Sequence, residues 1–241
     1  MKLTVKGGIQ SEIFVPVTPK PVFTELKKPL SECKVAFITA GGIHKKDQTP
    51  FNTSGDFGYR TIPFDTPSDQ LMVTHGGFDN SDINKDVNAM FPIDRLHELV
   101  DEGFIGSLAN ETYTFMGGGG NVEKFKGETG PEIARKLKEQ GVDIVLCTGG
   151  CGTCHRSATI VTRCCEEAGM SCVVIAALPP IARQQGAPRI TAPHVPIGSN
   201  AGEPNNIPMQ IAILKESLEW VRDCPSFNQT KILPYEYRHN V

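Results

Sequence analysis

The chain has 241 residues, 39% hydrophobic and 21% charged, with a formal net charge of -3. That balance suits an ordinary globular protein of one large domain or two small ones. No basic tract points to nucleic acid as a partner, and no apolar run of about 18 residues points to a membrane span.

The opening residues, MKLTVKGGIQSEIFVPVTPKPVF, have no apolar core of a secretory signal, so a cytoplasmic protein is expected. Residues 1–32 mix prolines with alternating polar and apolar positions and read as an extended N-terminal arm, laid over a neighbour. Residues 33–241 read as one α/β domain. CKVAFITAGG, from Cys33 to Gly42, predicts a buried strand ending in a glycine turn. Residues 43–69 are polar and rich in turn formers, a long loop whose Phe51, Phe57, Tyr59 and Phe64 argue for order. Gln70–Gly77 predicts a second strand. FPIDRLHELVDEG predicts a helix starting near Pro92, ending at Gly103, with Ile93, Leu96, Leu99 and Val100 on its apolar face.

SLANETYTFMGGGG predicts a strand running into a flexible glycine turn. TGPEIARKLKEQG predicts a helix capped by Thr129 or Gly130 and stopped by Gly141. VDIVLCTGG is a continuous apolar strand. A helix follows from Cys151 or Gly152 to Glu167, then the strand SCVVIAALPP. The last predicted element is the helix NIPMQIAILKESLEWVRDC, apolar at Ile211, Leu214, Leu218 and Val221. Strands alternating with helices give the fold class: α/β, three-layer, with a mostly parallel sheet flanked by helices. Ligands of such sheets bind beyond the carboxyl ends of the strands. CTGGCGTCHRSA, from Cys147 to Ala158, lies at one of those ends.

Six of the eight cysteines fall between Cys147 and Cys172. Clustering of this kind in a cytosolic protein points to redox chemistry or metal binding rather than a disulfide scaffold. In the redox reading, Cys151 and Cys154 form a C-x-x-C pair at a helix N-terminus, where partial positive charge favours thiolate. His155 and Arg156 would add charge if turned toward the sulfurs. Gly149, Gly150 and Gly152 would leave Cys151 uncrowded, and Cys154 could close a disulfide after attack. In an iron–sulfur reading, Cys147, Cys151 and Cys154 stand as C-x3-C-x2-C, although Thr153 occupies the place of the usual aromatic. In a zinc reading, Cys164, Cys165 and His155 could be recruited. Against that, Cys154, Ala158, Val161, Cys165 and Ala168 share one helical stripe, which makes Cys165 a core residue.

CTGGCGTCHR resembles the selenocysteine segment of the glycine/sarcosine/betaine/proline reductase family. HGGFDNSDINKDVNAMFPIDRLHELVDEGFIGSLA, from His75 to Ala109, is similar to a second pattern of that family. The likeness runs from Val35 to Trp220, and the length suits the small subunit of its proline-reducing branch. This resemblance implies an oxidoreductase subunit acting on D-proline, with selenocysteine expected where this sequence has Cys151. It implies attack by residue 151 on the substrate α-carbon and resolution by Cys154, giving 5-aminovalerate. It further implies a pyruvoyl group on a partner subunit, an electron-donating redox protein, and no cofactor or metal bound by this chain. Gly117–Gly120 precedes no dinucleotide fingerprint.

Six more residues enter as candidates in support. His75 follows a strand end and could protonate a leaving nitrogen or hold a carboxylate. Cys147 ends an apolar strand beside the pair. Asp86 and Asn88 lie among acidic residues that lack the EF-hand pattern and read as turn caps, able to reach the site. His44 and Arg60 could bind a carboxylate from the long loop.

Overall fold

A computed structural model describes residues 21–117 and 121–237. Strands β1 (Lys34–Thr39), β7 (Ile144–Thr148) and β8 (Ser171–Ile175) are almost wholly buried. A strand covered on both faces needs no polar alternation, and VAFIT, IVLC and CVVI have none. These strands form the centre of an eight-stranded sheet. The order from one edge is β10 (Gln229–Glu236), β9 (Arg189–His194), β8, β7, β1, β6 (Glu111–Thr114), β3 (Arg60–Pro63), with β5 (Ser107–Leu108) paired to the start of β1. Neighbours run parallel except β3 against β6. Outside this sheet, β2 (Ile43–Lys45) and β4 (Leu71–Val73) form an antiparallel ribbon.

The helices are α1 (Ser81–Lys85), α2 (Ile93–Asp101), α3 (Val122–Lys124), α4 (Gly130–Glu139), α5 (Gly152–Glu167), α6 (Pro179–Gln184) and α7 (Ile207–Asp223). α5 packs on both α4 and α6, while α7 packs on α2. Ile190 of β9 clusters with Ala182 of α6, whereas the next residue, Thr191, meets Ser217 of α7 at 2.8 Å. Successive strand residues face opposite sides, so the two helix groups cover opposite faces. The three layers expected from the sequence are present. The chain leaves β1 toward β6 on one side and continues from β7 to β10 on the other. This switch point between β1 and β7 is where such sheets hold ligands. Cys151 follows β7 directly there.

Several elements differ from expectation. Residues 43–69 hold β2 and β3, tied by Arg60, which donates to Thr49 O and Pro50 O, pairs with Asp56 and lies 4.1 Å over the Phe51 ring. The strand expected at Gln70–Gly77 is the short β4, outside the main sheet. No cap opens α4; a π-helical turn, Phe125–Thr129, runs into it, and the Thr129 hydroxyl donates to Phe57 O at 2.6 Å. α6, β9 and β10 were not foreseen. In α7, Ile213 is buried and Ile211 only half-buried.

Of the expected arm, residues 1–20 lie outside the described residues, as do Gly118–Gly120. Its described part lies on its own chain. The Thr24 N–H donates to Glu166, and Arg189 donates to both Thr24 O and Glu166, 2.6 Å each.

Candidate active site

Cys151 caps α5 in an extended conformation, φ -79°, ψ -174°. That bend lets its side chain fold over the first helical turn. Its Sγ lies 2.9 Å from Thr153 Oγ1 and 2.9 Å from Cys154 Sγ. Cys151 is half-buried; Cys154 is fully buried.

The two thiols differ in acidity because they differ in surroundings. Cys151 is held down to about 3, chiefly by the hydrogen bond from Cys154; burial opposes this, while His75, the Thr153 hydroxyl and the Cys154 backbone N–H assist. Burial pushes Cys154 well above the ordinary thiol value, and its bond to Cys151 and the charge there push it further. One sulfur is therefore a thiolate and the other a thiol that donates to it.

His75 stands beside both sulfurs, its Nε2 2.9 Å from Cys154 Sγ. Its Nδ1 accepts the Gly77 N–H at 2.9 Å. An N–H can only donate, so the ring proton lies on Nε2 and points at the sulfur. The Phe78 ring packs on the imidazole, 4.5 Å between centroids.

The glycines serve internal packing rather than open space. A Cβ on Gly150 would stand 2.3 Å from Phe78 Cε1, and one on Gly149 would stand 2.8 Å from His155 Cα. Gly152 meets only Ile181 Cδ1, at 3.3 Å. Gly117 admits the site itself: a Cβ there would lie 2.5 Å from Thr153 Oγ1 and 3.1 Å from Cys154 Sγ.

His155 does not turn to the sulfurs. Its Nε2 accepts the Leu178 N–H at 3.1 Å, so Nδ1 donates to Cys151 O at 2.8 Å. Burial lowers its pKa and keeps the ring neutral. Its role in the fold is to tie the loop after β8 to the turn before α5. Cys147 is buried, its thiol raised by burial, and its S–H faces Thr148 O at 3.7 Å. Asp86 accepts from Asn88, from the Asn205 N–H and from Gln210. Burial raises that carboxyl, but these hydrogen bonds outweigh it and leave it below its ordinary value. Asn88 bridges Asp86 and Asp94. Both serve the turn before α2. His44 bonds Lys45 O and Thr74 Oγ1.

His75, Cys151 and Cys154 have their donor atoms within 4.8 Å of one another, and Cys147 is not in that group. The C-x3-C-x2-C spacing thus does not converge. Tetrahedral zinc with Zn–S bonds of about 2.3 Å would hold two thiolates about 3.8 Å apart. Sulfurs at 2.9 Å share a proton instead.

The sequence reading missed Thr153, Gly117 and Phe78. Thr153 had a signal, standing between the two cysteines one residue before Cys154. Gly117 and Phe78 had none, since close approach across the fold leaves no local pattern.

The profile of Glycine/sarcosine/betaine reductase selenoprotein B (GRDB) matches residues 7–150. The chain is 56% identical to D-proline reductase subunit gamma of Acetoanaerobium sticklandii over 235 residues, covering 98% of this chain and 97% of that protein. It is 34% identical to glycine reductase complex component B subunit gamma of Carboxydothermus hydrogenoformans, over 80% of this chain and 47% of that protein. It is also 34% identical to sarcosine reductase complex component B subunit beta of Peptoclostridium acidaminophilum, over 81% and 47%. The chain thus spans about half the length of the glycine and sarcosine relatives. No solved structure matches it. These relatives are subunits of reductase complexes, and the chain belongs to the glycine/sarcosine/betaine reductase selenoprotein B family.

Proposed function

We propose that this chain is the nucleophile-bearing subunit of a cytoplasmic D-proline reductase, opening D-proline to 5-aminovalerate. The observation that carries this is the thiolate–thiol pair of Cys151 and Cys154, 2.9 Å apart at the switch point of the sheet. Identity of 56% over nearly the full length of a D-proline reductase subunit supports the substrate.

A pyruvoyl group on a partner subunit would withdraw electrons from the substrate nitrogen. Attack on the carbon and release of the product fall to residues of this chain. The Cys151 sulfur attacks the α-carbon; the C–N bond breaks, and its electron pair leaves on nitrogen with a proton. His75 Nε2–H is the ring donor beside the sulfurs. The Cys154 sulfur then attacks the Cys151 sulfur. The S–C bond breaks, and the carbon keeps the pair and takes a proton. One D-proline and one dithiol give one 5-aminovalerate and one disulfide, which an electron-donating protein reduces. Selenocysteine at position 151, expected from the family, would be a stronger nucleophile and a better leaving group in the same geometry.

The test is reconstitution with the pyruvoyl-bearing partner and a dithiol. D-Proline-dependent 5-aminovalerate is expected, none from Cys151→Ser, and a covalent substrate adduct without turnover from Cys154→Ser. Undiminished turnover in Cys154→Ser would overturn the assignment of the resolver.

A further inference from the structure

The Cys151–Cys154 pair is chemically complete without a second subunit. Cys151 is only half-buried, and the thiol of Cys154 is already in contact with its sulfur. Closing to the roughly 2.05 Å of a disulfide needs under about 1 Å of movement. Cys151 lies outside α5 and Cys154 lies in its first turn, so closure costs no helical hydrogen bonds beyond that turn. Two donors stand on the resolving sulfur, His75 Nε2–H at 2.9 Å and the Gly117 N–H. A third donor, the Thr153 hydroxyl, stands on Cys151.

We infer that this chain by itself reduces hydroperoxides, with Cys151 as the attacking sulfur and Cys154 as the resolving thiol. This activity goes beyond ring opening and does not rest on that reading, because it uses neither D-proline nor a partner.

In the first step Cys151 sulfur attacks the terminal oxygen of ROOH. An S–O bond forms and the O–O bond breaks, oxidising the sulfur by two electrons. The departing alkoxide takes the Cys154 proton and leaves as ROH. The thiolate left at Cys154 keeps its hydrogen bonds from His75 and Gly117, which stabilise it. In the second step it attacks the Cys151 sulfenic acid. The S–S bond forms, the S–O bond breaks, and the hydroxide takes a solvent proton. One ROOH and the dithiol give ROH, water and a disulfide, and an added dithiol restores the pair. Because the resolver is in contact, the sulfenic acid is consumed before further oxidation.

The experiment uses the full chain, cumene hydroperoxide and dithiothreitol. One peroxide should remove two thiols per chain and place a single disulfide between Cys151 and Cys154 by peptide mass mapping. Steady-state peroxide consumption should exceed the dithiothreitol blank and fall to it in Cys151→Ser. With dithiothreitol left out, Cys154→Ser should consume one peroxide per chain and accumulate a sulfenic acid at Cys151 that dimedone traps. Consumption equal to the blank by folded protein with alkylatable Cys151, or a disulfide elsewhere in the chain, overturns the inference. Neither result touches the ring-opening assay, so the two readings fail separately.

Discussion

The amide of Gly77 reaches Nδ1 of His75, and this directs Nε2–H at the sulfur of Cys154. The imidazole is thereby a donor to sulfur rather than a base for it, and Cys154 in turn donates to Cys151. The hydrogen-bond chain ends on the sulfur of half-buried Cys151, which accounts for a thiolate at about 3 where an ordinary thiol sits at 9.0. A lowered value keeps the nucleophilic form above it and loses that form as pH falls through it. Alkylation of Cys151 by iodoacetamide should therefore stay near constant from about pH 5 to pH 8, where a free thiol rises steeply. Cys154→Ala removes the largest stabilising contact and should move the midpoint of the rate–pH curve upward, toward 9.0. Thr153→Val should move it the same way by less. His75→Asn should also raise it, and a fold-neutral change in near-ultraviolet circular dichroism distinguishes that shift from unfolding.

At the scale of elements, the turn between β7 and α5 is set by contacts no local pattern announces. Gly150 faces the edge of Phe78, and Phe78 also fills the space beside Gly198, whose φ is +104°. Gly150→Ala forces a Cβ to 2.3 Å from that ring. It should cost about 1–3 kcal/mol, read from urea unfolding, because the ring is held on several sides. Gly152→Ala should be far milder, since only the flexible end of Ile181 is near, at 3.3 Å. α4 and α5 were legible as helices from their spacing and stops. α6 was not: six residues opened by two prolines show no period. β9 carries Pro193 and His194, and β10 is a partly exposed edge strand; neither has the apolar run of a central strand.

At the scale of the molecule, the described start of the chain is clipped to the sheet by a buried ion pair. Arg189 and Glu166 are 1% and 0% exposed at the side chain and 2.6 Å apart, and both hold the Thr24 backbone. Burial raises the Glu166 carboxyl, Arg189 opposes it, and the backbone N–H groups of Cys172 and Thr24 help. Arg189→Met would leave that carboxyl without its cation and should cost about 3–5 kcal/mol. A fall in Tm of this size, with Cys151 alkylation unchanged below the transition, would separate the clip from the site. A Tm within a degree of the parent would contradict it.

The sequence by itself determined the α/β class, the central strands and the place of the cysteine pair, because continuous apolar runs, helix stops and C-x-x-C spacing are local. It left three chemistries open for Cys147, Cys151 and Cys154, since three identical side chains look alike in one dimension. Only the tertiary structure separated them. It buried Cys147 away from the group, set Cys154 as donor to Cys151, brought His75 from 79 residues away, and turned His155 to the backbone. It also withheld Asp86 and Asn88, which close a turn with Asn205 and Gln210. The physical reason is that acidity and donor direction depend on burial and on neighbours distant in the chain, and those exist only once the strands have paired.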